Sequence, residues 1–168
     1  MKRAENKANQ YQTFEDLEVY QVAREFRKEM YRVGKRLPEI EKFMLASQIR
    51  RAAVSLTNNI AEGDGRFHFL EQIKFVLQAR GSLEELLDDL NVCIDETHSP
   101  VEQIDKLKSD GWRVHRLING NIRFLRSLTA EKSSLIQESP SDCGLSDEEL
   151  DDLFFDRFNP SSLQRFNQ

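Results

Sequence analysis

The run Ser47–Arg66, SQIRRAAVSLTNNIAEGDGR, decides the fold. Leu45 just before it, then Ile49, Ala52, Leu56 and Ile60, recur at steps of three and four, the spacing of an apolar seam that a bundle helix buries. A second stripe, Gln48, Arg51, Ser55, Asn58 and Glu62, runs at the same steps on another face. A polar stripe this regular is either solvated or a hydrogen-bonded seam against a neighbouring helix. Gly63 and Gly65 then stop the helix. The short Gly-Asp-Gly turn makes the next helix its antiparallel neighbour.

Working upstream, Thr13 and Asp16 form a shortened capping box for a first helix with the seam Val19, Ala23, Phe26, Met30, Val33 and Leu37. Pro38 ends it, because the residue before a proline is pushed out of helical geometry. The second helix is expected from about residue 39 to Glu62. Downstream, a third helix over residues 67–97 carries Phe69, Ile73, Val76, Leu83, Leu87, Leu90 and Ile94, interrupted by Arg80. Ala79, Gly81 and Ser82 around the break are small. A glycine inside a helix costs about 1 kcal/mol relative to alanine, so Gly81 implies the close approach of another backbone. Folding back about Asp64 sets residues 47–51 against 77–81. Gln48, Arg51 and Ser55 are thus expected to meet that small-residue segment in a polar lock that Asn58 extends, and Asn59, Glu62, Gly81, Ser82 and Glu84 join them as the residues expected to serve assembly. The alternative is that the charged members face solvent.

Ser99-Pro100-Val101-Glu102 combines an N-cap serine, a proline at the first helical position and a capping-box glutamate. The fourth helix follows with Ile104, Leu107, Gly111, Val114, Ile118, Asn121, Leu125 and Leu128. One seam per helix and short connections predict an all-α fold, an antiparallel up-down-up-down four-helix bundle over residues 13–129. A disordered arm (1–12) precedes it. A flexible linker (130–145) and an acidic tail (146–168) follow. Tyr20, Leu70, Phe75, Leu86, Leu117 and Phe124 lie beside the seams and imply either a wide core face or an interface.

The chain has 168 residues, 39% hydrophobic and 32% charged, as suits one helical domain with an appendage. No apolar run approaches the roughly 18 residues of a membrane span. The first twelve residues lack the apolar core of a secretory signal. Cys93 and Cys143 make neither a disulfide framework nor a metal motif, so a cytoplasmic address is expected, with no membrane partner. Residues 130–168 hold nine Asp/Glu against three Lys/Arg, a net of −6, while the whole chain carries −5. Residues 1–129 are left at +1, and the acidity belongs to the tail.

The central run, with Phe14-Glu15-Asp16-Leu17, Leu37-Pro38 and Ala79-Arg80-Gly81-Ser82-Leu83-Glu84-Glu85-Leu86, resembles the signature of the four-helix-bundle proteins encoded in intervening sequences of bacterial 23S rRNA genes. The resemblance covers about residues 14–128. Thr57 departs from it, where such proteins often have proline, as does the long tail. What the resemblance implies is a closed homo-oligomeric ring, most naturally a pentamer. More distantly it implies kinship with the ring-forming accessory proteins of diversity-generating retroelements, which associate with a reverse transcriptase and RNA.

Three features bear on function. Lys106, Arg113, Arg116 and Arg123 share one face of the fourth helix, with Arg126 nearby and Gly120 leaving a gap. Such a row either engages successive phosphates or is an ordinary solvated face. In the tail, Ser146-Asp147-Glu148-Glu149 caps a short helix (146–158) carrying Leu150, Leu153, Phe154 and Phe158 on one face. This helix either docks on a protein partner, folds back on the basic stripe, or packs as a fifth helix. Chemistry is the weakest reading. His68, His98 and His115 are scattered, and Glu84-Glu85 and Asp88-Asp89 are adjacent pairs that do not face one another on a helix. No phosphate loop or zinc motif is present, so no catalytic residue, cofactor or metal is expected. The sequence points to a non-catalytic ring scaffold for RNA or a nucleoprotein enzyme. The competing reading is a protein–protein adaptor working through the tail.

Overall fold

A computed structural model describes the backbone of residues 13–138 and the side chains of residues 13–132. These residues form α1 (Glu18–Arg36), α2 (Leu45–Asp64), α3 (Phe69–Asp95) and α4 (Val101–Glu138), with 3-10 turns at Phe14–Asp16 and Glu39–Glu41 and no strand among them. Each helix packs antiparallel to the next and α4 closes against α1, the up-down-up-down bundle that the four seams predict. Met30, Ile49, Leu56, Leu83, Leu86, Leu90, Ile104 and Ile118 are fully buried at its centre. Of the apolar residues beside the seams, Tyr20 and Leu86 join the core and Leu70 is exposed. No helix among the described residues is long and apolar enough to cross a membrane.

Several boundaries differ from the sequence reading, each for a local reason. The Thr13–Asp16 capping box is present, but it closes the 3-10 turn, and α1 begins beyond it at Glu18. Residues 39–44 form a 3-10 turn and a further hydrogen-bonded turn, so α2 starts at Leu45, not near residue 39. Gly63 does not end α2. It is a buried helical residue where a Cβ would lie 3.1 Å from Phe75 Cβ and 3.4 Å from the Gln72 carbonyl, so its smallness lets α3 approach. Gly65 takes the C-cap. Gly111 does the same service in the core, where a Cβ would meet Leu87 at 2.7 Å and Phe26 at 3.2 Å.

The end of α3 is a Schellman motif built on threonine. Thr97 has φ 56°, its N–H donates to the Ile94 carbonyl, and the His98 N–H donates to the Cys93 carbonyl, each at 2.9 Å. The left-handed conformation is one that β-branched residues resist. At the other end of the bundle, α4 runs on to Glu138, nine residues into the stretch expected as a linker. No glycine or proline interrupts the sequence there before Pro140. The arm 1–12, the rest of the linker and the tail helix with Leu150, Leu153, Phe154 and Phe158 lie outside the described residues.

Candidate functional site

The polar stripe of α2 meets α3, but in a different register from the expected lock. α2 continues to Asp64 and α3 begins only at Phe69, so the reversal is longer than a turn centred on Asp64. Ser55 therefore faces Ser82, their hydroxyls 2.9 Å apart, and Gln48 donates to Asp89 Oδ1 at 3.1 Å. Asn59 donates to the Ser55 carbonyl at 2.9 Å and to its hydroxyl at 3.1 Å, and Ser82 donates to the Gln78 carbonyl. Other expected members stand apart from this seam. Gly81 is exposed and a Cβ there would meet nothing within 4 Å, so no backbone among the described residues approaches it. Arg51 and Asn58 are exposed, and Glu62 pairs with Arg66 just beyond the end of α2.

Asp89 is the member that sequence reasoning missed. It is 3% exposed, and its Oδ2 has no hydrogen-bond partner. Burial pushes its carboxyl up to about 6, reinforced by the neighbouring Glu85 and Asp88 charges and opposed by Arg51. Cys93, one turn on and fully buried, is pushed up to about 11 by burial, with Asp89 and Glu41 adding to it. The signal was the Asp88-Asp89 pair: adjacent helical residues diverge, and here Asp88 is exposed and Asp89 buried.

Across the α3–α4 groove, Arg80, Asn119, His115 and Glu84 close a polar circuit. Arg80 donates to Asn119 Oδ1 at 3.1 Å, Asn119 Nδ2 lies 3.2 Å from His115 Nδ1, and Glu84 lies 3.8 Å from both His115 Nε2 and Arg80 Nε. Trp112, half exposed, sets its ring edge-on to His115 at 5.4 Å. Glu84 thus belongs to this circuit and not to the α2–α3 seam. Gly120, beside Asn119, also has open space around it.

Two basic surfaces remain. Lys106, Arg113, Arg116, Arg123 and Arg126 are all exposed on α4, and none forms an ion pair among the described residues. The second was not anticipated. A groove of about 540 Å³ between α1 and α2 is lined by Arg27, Lys28, Tyr31, Arg32, Lys35 and Val54. Its signal was available in α1, which holds six Lys/Arg against three Glu, with positions 24, 28, 31 and 35 on one face. Arg27 is anchored: its Nη1 donates to the hydroxyl of buried Thr57 at 2.8 Å. Among the described residues, no three His, Cys, Asp or Glu side chains are placed to hold a metal ion.

The class is thus a four-helix bundle whose distinctive surfaces are polar seams and basic faces. The chain belongs to the 23S rRNA-intervening sequence protein family, whose model matches residues 15–120. No curated protein matches it.

Proposed function

We propose that this protein is a non-catalytic homo-oligomeric scaffold that holds RNA, or a nucleoprotein enzyme such as a reverse transcriptase, against the basic face of α4. The observation that carries this reading is the row Lys106, Arg113, Arg116 and Arg123, exposed and free of ion pairs among the described residues. Unpaired cations are hydrated and counterion-bearing, so phosphate contact releases ions and gains free energy. A ring of copies would repeat the row and multiply weak interactions. Exposed apolar side chains support self-assembly. Ile40, Phe43 and Met44, at 77%, 83% and 68% exposure, all lie in the short α1–α2 connection, and exposed apolar surface of this kind marks interfaces.

The test is retention of RNA by the purified oligomer. Replacing Arg113, Arg116 and Arg123 with glutamate should abolish salt-sensitive RNA retention while the oligomer keeps its mass. RNA retained undiminished by this variant would refute the α4 face. An oligomer that ignores RNA in every form would transfer the role to the tail as a protein adaptor.

A further inference from the structure

We propose that the α1–α2 groove is a binding site for the phosphodiester backbone of single-stranded RNA, with Arg27, Lys28, Arg32 and Lys35 as phosphate ligands and Tyr31 as a stacking platform. This rests on the nucleic-acid reading above, but it assigns a different surface to it. Among the described residues, four cations line the groove and no carboxylate does. Lys35 makes no ion pair among the described residues. Among the described residues, Lys28 and Arg32 pair with Glu25 and Glu29, three residues back on α1. Such exposed pairs are weak and yield readily to a phosphate. Arg27 differs from these three because Thr57 holds one of its nitrogens, which leaves a fixed fork of further N–H donors at the groove.

The shape selects among anions. The groove has the volume of a small-ligand pocket, and its cations spread from Arg27 to Lys35 along about two turns of α1 beside Val54 of α2, so it suits a segment of a polymer. A half-buried tyrosine beside a row of cations is the arrangement that tracks single strands, bases stacking while the backbone follows the charge. The acidic segment 146–158 is the rival occupant by charge. Its Leu150, Leu153, Phe154 and Phe158 need an apolar socket, however, and among the described residues the lining offers as apolar surface just Val54 and the Tyr31 ring.

The experiment is fluorescence anisotropy of a labelled oligouridylate against the full chain over a series of salt concentrations. Arg32→Gln with Lys35→Gln should lower the slope of log K against log salt by about 0.7 for each phosphate left without its cation. Tyr31→Leu should weaken binding by about fivefold or more with the slope unchanged. Thr57→Val, which frees Arg27, should also weaken binding. Lys42→Gln with Lys74→Gln removes the same charge elsewhere and should leave the slope at the wild-type value. Circular dichroism checks that each variant folds. If the groove variants match wild type while the Arg113, Arg116 and Arg123 reversal releases the RNA, the groove is refuted and the α4 reading stands. If the wild type binds no oligouridylate at any salt, both fall. If instead a peptide of residues 146–158 binds and is lost in the Arg32 and Lys35 variant while RNA binding is unchanged, the groove belongs to the tail and the proposal is overturned.

Discussion

Asp89 offers the most quantitative test of the α2–α3 seam. Its carboxyl is raised from 3.8 to about 6 in the folded chain by burial and by the Glu85 and Asp88 charges. Below about pH 4 it is protonated whether the chain is folded or not, so ionisation costs nothing. Between about pH 4 and pH 6 the folded state keeps a proton that the unfolded state has released, so its contribution to stability falls as pH rises. Above pH 6 the penalty is complete, at about 3 kcal/mol for two units of 1.36 kcal/mol each. Asp89→Asn keeps the shape, can retain the acceptor for Gln48, and cannot ionise. Its stability relative to wild type should therefore rise by about 2.5 kcal/mol between pH 4 and pH 7. Urea unfolding followed by circular dichroism at both pH values measures this. Working with the difference between the two proteins cancels the other carboxylates. A variant whose advantage does not grow with pH would show that Asp89 is solvated, and the seam would lose its buried charge.

The remaining predictions concern backbone geometry and one anchor. Thr97→Gly should stabilise the chain by about 1 kcal/mol in thermal or urea unfolding, because a β-branched residue there occupies a left-handed cap. Gly81→Ala should stabilise the isolated chain by up to about 1 kcal/mol, as alanine gains helix propensity and meets open space. Gly63→Ala should do the opposite by about 1–2 kcal/mol, since its Cβ meets Phe75 Cβ and the Gln72 carbonyl, which cannot swing aside. Equal effects at the two glycines would contradict the packing described for α2 against α3. Thr57→Val should cost about 1 kcal/mol through the missing Arg27 hydrogen bond, read as a shift of the urea midpoint.

The seams were legible because a buried helical face has to repeat every three or four residues. Leu45, Ile49, Ala52, Leu56 and Ile60 are all buried. That the polar stripe of α2 would meet α3 was legible too, in the Ser55–Ser82 and Gln48 bonds. The register was not, because it depends on how many residues the reversal consumes. With residues 65–68 outside both helices, Gln48 reaches Asp89, nine residues beyond the position opposite it in a turn centred on Asp64. That is about two and a half helical turns. Gly81 misled for a related reason: its cost in a helix is a property of the residue, while its cause depends on what lies nearby, and nothing among the described residues does. The groove escaped because it takes Val54 and Thr57 from α2 to complete a row that α1 alone presents as scattered charges.

The central claim is that this bundle assembles and carries RNA on its basic surfaces. Its most direct test is light-scattering mass after size exclusion, on the full chain and on a chain ending at Glu138, where α4 ends, each with and without RNA at low and high salt. The account predicts a closed oligomer in both forms that takes up RNA at low salt and sheds it at high salt. A monomer, or an oligomer whose mass is unmoved by RNA at low salt, would contradict it.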